Sequence, residues 1–195
     1  KVKPGHYLVV KKNGHLERKY WDFKDDLNKI ILPNKLEDRK NYIKELIENS
    51  VKASMVSDVP ISIASSGGLD SSILQLIAKK FNSRIKLISW DFKDKKYSEK
   101  KFTLRMGKIT KLDSDIFRVT PDHVTKYLEK IVRVNEEPFS GLPILAYYLC
   151  IKYVSNTKVI LDGSGLDEAH TGYKKYFKNI SMKKNFLVAQ DGSKS

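Results

Sequence analysis

Between residues 61 and 161, short apolar segments alternate with longer segments whose apolar residues recur at helical spacing. Strands are predicted at residues 61–64, 85–92, 116–119 and 158–161, and helices at residues 72–81, 98–109, 122–134 and 142–154. Strands and helices that alternate at this spacing form a parallel sheet, because a helix supplies each crossover between parallel strands. The sequence therefore predicts an α/β fold in which a parallel sheet carries helices on both faces.

The first 35 residues do not follow this alternation. Residues 7–10 form a short apolar strand, Asn13-Gly14 is a turn dipeptide, and residues 16–21 supply a return strand. Residues 24–35 are polar and contain Pro33, which indicates a linker. We therefore expect a β-hairpin in residues 1–23, a linker in 24–35 and a main domain in 36–195, which opens with a helix.

The amino-acid composition excludes several classes of protein. The chain has 195 residues with 41% hydrophobic content, which is enough to bury one core and excludes disorder throughout. It lacks an apolar run of the roughly 18 residues that a membrane span needs. The net charge of +14 suggests nucleic acid, but 31 of the 37 basic residues are lysine. Because specific recognition of bases and phosphates favours arginine, nucleic-acid binding is unlikely on this composition.

The number of cysteines indicates the cellular compartment of the protein. Cys150 is the only cysteine, so an intramolecular disulfide is excluded and a cytoplasmic location is predicted. It falls within an apolar helical segment, where packing in the core is the expected role. The sequence begins at Lys1 without a methionine, and we expect it to be a piece of a longer protein.

A glycine-rich string joins the first predicted strand of the sheet to its helix. It reads Ser65-Ser66-Gly67-Gly68-Leu69-Asp70-Ser71-Ser72. Glycines let the backbone approach a ligand closely, and free amides at a helix N-terminus bind anions. It is not a Walker A loop, because no lysine follows the glycines. Asp70 beside a phosphate implies a bridging Mg²⁺, although a glycine-rich turn with Asp and Ser as helix caps is the structural alternative.

A second string of the same kind follows the last predicted strand. It reads Asp162-Gly163-Ser164-Gly165-Leu166-Asp167-Glu168, and Gly172-Tyr173 comes soon after. If the two strands are neighbours, Asp70 and Asp167 can share one Mg²⁺ at the carboxyl edge of the sheet. An acidic helix N-terminus, favoured by the helix dipole, is again the structural alternative.

The first of these strings is specific enough to indicate a family. Ser66 to Ser72 is similar, without a gap, to the pyrophosphate loop of the asparagine synthetase family, one of the ATP pyrophosphatases of the PP-loop type. Further stretches that resemble the family are residues 57–60, Glu137-Pro138, residues 159–173, and the opening residues 4–8 with Tyr20-Trp21. The chain thus resembles the C-terminal synthetase domain of this family, in an incomplete form, and its hairpin resembles the end of the family's glutaminase domain.

The resemblance implies a fold of the adenine nucleotide alpha hydrolase type, with ATP and Mg²⁺ as cofactors. It implies that a small-molecule carboxylate attacks the α-phosphate of ATP, and that ammonia from a glutaminase domain or subunit then displaces AMP to form an amide. It also allows a homodimer. The implied catalytic residues are Asp70, Asp167 and Ser164, with Asp70 and Asp167 on the metal. The implied nucleotide-binding residues are Ile63, Ala64, Ser65, Ser66, Gly67, Gly68, Asp70, Ser71, Ser72, Ser89, Trp90 and Gly163.

One departure from the family pattern keeps the substrate open. The family has Gly-Glu-Gly in the second loop, whereas this chain has Gly163-Ser164-Gly165. Asparagine formation is the default, and amidation of an acidic sugar or a secondary metabolite is the alternative. Two other readings are a non-catalytic nucleotide-binding fragment that needs a partner chain, and a PP-loop enzyme that modifies tRNA.

Overall fold

The computed structural model describes residues 1–22, 24–25, 29–137, 141, 143–154, 157–170 and 172–173. The chain divides into two compact units, Lys1–Ile47 and Glu48–Ser195. In the first unit, β1 (His6–Lys11) and β2 (Gly14–Lys19) pair antiparallel, with Lys11 opposite Gly14 at the turn. The hairpin predicted from the sequence is therefore confirmed, while the domain limits at residues 23 and 35 stay a prediction.

Helix α1 (Leu36–Ser54) contributes residues to both units. It begins where the sequence predicts, with Glu37 and Asp38 in its first turn and Lys52 in its last. This distribution of charge complements the helix dipole, whose positive end lies at the N-terminus. No helix among the described residues is both long and apolar enough to cross a bilayer.

The second unit is built on a four-stranded sheet. Its strands are β3 (Ile61–Ala64), β4 (Lys86–Phe92), β5 (Ser114–Val119) and β6 (Val159–Leu161), in the spatial order β5-β4-β3-β6. All three pairings are parallel, which confirms the predicted sheet. All four residues of β3, which has a strand on each side, are buried. Ile63 lies opposite Leu161, so the loops after β3 and β6 leave the sheet side by side.

The helices of this unit cover both faces of the sheet. They are α2 (Leu69–Phe81), α3 (Lys100–Thr110), α4 (Pro121–Asn135), α5 (Pro143–Tyr153) and α6 (Leu166–Ala169). Successive residues of a strand point to opposite faces. The Ser89 hydroxyl lies 3.3 Å from that of Thr103 on α3, whereas the next residue, Trp90, packs its ring edge-on against Tyr147 of α5. The prediction of helices on both faces is therefore confirmed.

The core on the α4–α5 side is a cluster of buried apolar residues. It comprises Val119, Tyr127, Ile131, Leu145, Ala146 and Leu149. Cys150, next to it on α5, is fully buried, and its thiol donates to the carbonyl oxygen of Ser89 at 3.2 Å. The core-packing role predicted for Cys150 is confirmed.

Candidate active site

A cavity of about 830 Å³ opens at the carboxyl ends of β3, β4 and β6. This is the edge at which open parallel sheets bind ligands. Of the residues predicted for the site, those that line the cavity are Ala64, Ser65, Ser66, Asp70, Ser71, Trp90, Gly163, Ser164 and Asp167. The fold thus brings both glycine-rich loops and one strand end to a single concave surface.

Hydroxyl groups shape the first loop from within. The Ser66 hydroxyl oxygen accepts the Gly68 amide at 3.2 Å and lies 3.1 Å from the Ser71 hydroxyl. The Ser71 hydroxyl in turn donates to the carbonyl of Gly68 at 3.3 Å. These bonds connect the turn to the first residues of the helix that follows it.

The turn requires glycine at one position in particular. Gly67 has φ +73°, and a Cβ built on it would overlap Phe102 at the start of α3. A side chain at this position would therefore be disfavoured by the left-handed backbone conformation and by steric overlap with the neighbouring helix. The first loop lies directly on α3.

Helix α2 begins immediately after this turn and presents free amides. Its N-cap residue, Gly68, offers no side-chain cap. The amides of Leu69, Asp70 and Ser71 find no acceptor among the described residues. Unpaired amides at the positive end of a helix dipole favour an anion such as a phosphate group.

The second loop lies against the first. A Cβ built on Gly163 would be 3.4 Å from the Asp70 Cβ and 3.4 Å from the Ser71 amide nitrogen. The carboxylate of Asp162 accepts both the amide and the hydroxyl of Ser164, each at 2.7 Å. The Tyr147 phenol also bonds to Asp162, and burial together with this carboxylate raises the pKa of Tyr147. Ser164 is thus a hydroxyl held beside a carboxylate at the cavity wall.

The two carboxylates predicted to hold Mg²⁺ both line this cavity. Neither the Asp70 nor the Asp167 carboxylate makes a hydrogen bond or ion pair with another described residue. Within the described part of the chain, no three His, Cys, Asp or Glu side chains group closely enough to hold a metal ion. Mg²⁺ usually takes one or two carboxylates from a protein and its other ligands from phosphate and water oxygens, and these carboxylates have the chemistry for that role.

Comparison with known proteins now identifies the family. The family model described as asparagine synthase matches residues 42–193, which include both loops of the cavity. The chain belongs to the asparagine synthase family. Glutamine-hydrolyzing asparagine synthetase 1 of Bacillus subtilis is 28% identical over 186 residues, which are 94% of this chain and 29% of the relative. Asparagine synthetase B of Escherichia coli is 49% identical over 45 residues, 23% of this chain and 8% of the relative.

The chain therefore spans less than a third of these asparagine synthetases. Among solved structures, an NH3-dependent NAD synthetase from Campylobacter jejuni is similar with a TM-score of 0.45 and 15% identity, over 68% of this chain and 60% of that one. The family match begins at Tyr42, within α1, so the hairpin lies outside it.

Some residues that the family resemblance assigns to the nucleotide do not line the cavity. They are Ile63, Gly67, Gly68, Ser72 and Ser89. Ile63 and Ser89 are 0% and 2% exposed within the sheet, so they can reach a ligand only through local rearrangement. Of the family-like Glu137-Pro138 pair, Pro138 lies outside the described residues. The site assignment as a whole stays a prediction.

Other residues of the cavity were not predicted from the sequence. Asp162 belongs to the second glycine-rich string, where the sequence assigns it no role, and Tyr147 lies within the helix predicted at residues 142–154. An apolar wall is added by Ile131, Val134, Ile144 and Ile151 on α4 and α5. The position of Asp162 directly after β6 was the available signal, because side chains at strand ends of a parallel sheet face its ligand edge.

Proposed function

We propose that the chain is the nucleotide-binding part of an ATP-dependent, amide-forming ligase of the asparagine synthetase type. The observation that carries the proposal is the contact between the two loops, where Gly163 lies against Asp70 and Ser71 within one cavity. Amides and carboxylates that have no partner among the described residues, suited to a polyphosphate and to a divalent cation respectively, share this cavity. Such a combination suits chemistry at the phosphates of a nucleotide rather than binding of a neutral ligand.

The proposed reaction has two steps. A carboxylate oxygen of the substrate attacks the α-phosphorus of ATP, which breaks the α–β phosphoanhydride bond and releases pyrophosphate. The nitrogen of ammonia then attacks the acyl carbon of the resulting acyl-adenylate, AMP leaves, and the nitrogen loses one proton to solvent or to a base, which gives the amide. The amides of Leu69, Asp70 and Ser71 would hold the departing pyrophosphate, whose negative charge grows as the bond breaks.

Magnesium would neutralise phosphate charge in this reaction. Asp70 and Asp167 are the proposed ligands, because both line the cavity and neither has another partner among the described residues. Trp90, two residues before the end of β4, is the proposed neighbour of the nucleoside, and its ring packs edge-on against Tyr147.

The ammonia source is proposed to be a glutaminase domain or subunit. The hairpin of β1 and β2 resembles the end of such a domain, and the chain spans less than a third of its glutamine-hydrolyzing relatives. A cytoplasmic location remains in the proposal because the single cysteine is buried and unpaired. The homodimer and the low expectation of nucleic-acid binding stay predictions.

A second substrate class is favoured by one observation. Where the family pattern has glutamate, Ser164 stands with its hydroxyl bonded to Asp162. At this position the chain presents a hydroxyl next to the Asp162 carboxylate instead of the longer, charged side chain of glutamate. A carboxylate other than aspartate, such as an acidic sugar or a secondary metabolite, is the alternative substrate.

Product analysis tests both proposals. The chain is incubated with ATP, Mg²⁺, ammonium and, in turn, aspartate, glutamate and acidic sugars, and the release of AMP and pyrophosphate is followed. AMP that depends on one carboxylate supports adenylation and names the substrate. Binding of Mg²⁺-ATP without AMP from any carboxylate supports the nucleotide-binding fragment, and salt-sensitive binding of tRNA supports the tRNA-modifying reading.

Matched variants make the result specific. Asp70→Asn is expected to remove Mg²⁺-dependent turnover, or Mg²⁺-dependent ATP binding where turnover is absent. Asp122→Asn is the control, since Asp122 is an aspartate in the first turn of α4 that does not line the cavity. Full activity of Asp70→Asn would contradict the assignment.

A further inference from the structure

Ser65 is the first residue after β3. Its amide, its carbonyl and its hydroxyl each make a hydrogen bond to a different strand or helix. Its amide donates to the carbonyl of Ile88 on β4 at 2.8 Å. Its carbonyl accepts the hydroxyl of Thr103 on α3 at 3.0 Å, and its own hydroxyl oxygen accepts the side-chain amide of Gln75 on α2 at 3.0 Å. We call Ser65, Gln75 and Thr103 the serine clamp.

The three residues of the serine clamp are almost fully buried. Ser65 is 3% exposed, and Gln75 and Thr103 are 0% exposed. Buried hydrogen bonds that lose one partner leave a polar group unsatisfied, which costs more than the bond contributes when it is made. A conformation of the loop that broke any contact of Ser65 would therefore be strongly disfavoured.

From this arrangement we infer that Gln75 and Thr103 are positioning residues for the phosphate loop, and that they orient Ser65 for its ligand. Thr103 fixes the carbonyl of Ser65, and with it the direction in which the chain enters the turn at Ser66. Gln75 holds the Ser65 hydroxyl through its side-chain amide at 3.0 Å, and the side-chain oxygen of Gln75 has no partner among the described residues. Because Ser65 lines the cavity, these two contacts fix part of the wall that the phosphates of the proposed nucleotide would meet.

A second contact joins the loop to the same helix. Gly67 packs against Phe102, the neighbour of Thr103, so closely that no Cβ fits between them. Helix α3 therefore supports the turn at Ser65 through a hydrogen bond and at Gly67 through packing. The inference rests on the proposed function for its ligand, but the support of the loop by α3 is independent of that function.

The test compares two threonine variants on the same helix. Thr103→Val removes the hydroxyl that reaches Ser65 while keeping the shape of the side chain. Thr110→Val is the matched control, because Thr110 is 1% exposed and its hydroxyl donates within α3, to the carbonyl of Met106 at 2.7 Å. Thr103→Ser restores the hydroxyl.

Two readouts on the ligand-free and the ligand-bound chain separate positioning from stability. Amide hydrogen exchange of a peptide covering residues 64–69 is expected to speed up roughly 5- to 10-fold in Thr103→Val, as the loss of one net hydrogen bond predicts, and to return toward wild type in Thr103→Ser. Affinity for Mg²⁺ and α,β-methylene-ATP, which cannot be cleaved at the reacting bond, is expected to fall by a similar factor. Gln75→Leu is expected to weaken affinity in the same direction.

The outcomes distinguish this inference from the proposed function. Equal loop exchange in Thr103→Val and Thr110→Val would overturn the inference, whatever the nucleotide affinity. Faster loop exchange in Thr103→Val alone, with no binding of α,β-methylene-ATP to wild type, would support the clamp and contradict the nucleotide site. If both variants change global thermal stability equally but only Thr103→Val changes loop exchange, the result supports a positioning role for Thr103.

Discussion

The backbone of Gly163 lies against the side chain of Asp70, with only enough space between them for a methyl group. A Cβ on Gly163 would make ordinary van der Waals contacts of 3.4 Å with Asp70 and with the amide of Ser71. The second loop is therefore close-packed on the first turn of α2, and the spacing of the two loops is set by the size of this one residue.

This spacing predicts different tolerance for two substitutions at Gly163. Gly163→Ala is expected to fold with a stability change of about 0.5 kcal/mol or less, because its Cβ meets no overlap. Gly163→Val adds branched carbons against Asp70 and is expected to cost about 1–3 kcal/mol, as overpacking does. Urea denaturation measures both costs, and calorimetry with Mg²⁺ and α,β-methylene-ATP is expected to show weaker binding for valine only. Equal behaviour of the two variants would contradict the packing of the loops.

Gly67 and Gly165 both have a left-handed backbone conformation, but alanine is expected to cost a different free energy of unfolding at the two positions. Gly67 has φ +73° and its Cβ would overlap Phe102, whereas Gly165 has φ +91° and no atom within 4 Å of a Cβ. Gly165→Ala is expected to cost about 1–2 kcal/mol through backbone strain alone. Gly67→Ala is expected to cost about 1–3 kcal/mol more, because overlap is added to strain. Denaturant midpoints at an unchanged m-value measure the difference, and similar losses would show that Phe102 gives way.

The sequence predicted the sheet and its loops well because both rest on local patterns. Buried strands such as Ile61–Ala64 are short apolar runs, and a glycine-rich string after a strand is visible without a fold. The start of α2 was placed at residue 72 although the helix begins at Leu69. Leu69, Asp70 and Ser71 follow two glycines and carry functional side chains, so they resemble loop residues even though Gly68 already serves as the N-cap.

The apolar wall and the serine clamp could not be predicted in the same way. Helical periodicity shows that the face of α4 bearing Ile131 is covered, but not whether a core or a cavity covers it. Gln75 and Thr103 are polar residues in amphipathic helices, which usually face water. Both are fully buried here, and each makes a hydrogen bond to Ser65, which depends on contacts between residues far apart in the chain.

Trp90 predicts a fluorescence signal for ligand binding. The chain has two tryptophans, Trp21 and Trp90, and Trp90 lines the cavity with its ring against Tyr147. In Trp21→Phe, addition of Mg²⁺ and α,β-methylene-ATP is expected to change the emission of Trp90, while inorganic pyrophosphate changes it less, since it lacks a nucleoside. Trp90→Phe, which keeps Trp21, is the control and is expected to give no change. Equal signals from the nucleotide and from pyrophosphate would place the nucleoside elsewhere.

The burial of Cys150, the single cysteine of the sequence, predicts how fast its thiol reacts. Burial raises its pKa from 9.0 to about 12, so the reactive thiolate is disfavoured in the folded chain. At pH 8 the thiol is mostly protonated in both the unfolded and the folded chain. A pKa shift of this size therefore reduces the thiolate fraction of the folded chain roughly 1,000-fold. Labelling by a thiol reagent is therefore expected to be at least 100-fold slower in the folded chain than in urea, and to accelerate as pH rises toward 12. Ellman's reagent measures both rates, with Cys150→Ser as the blank, and rapid labelling of the folded chain at pH 8 would show that the helix carrying Cys150 opens readily from the sheet.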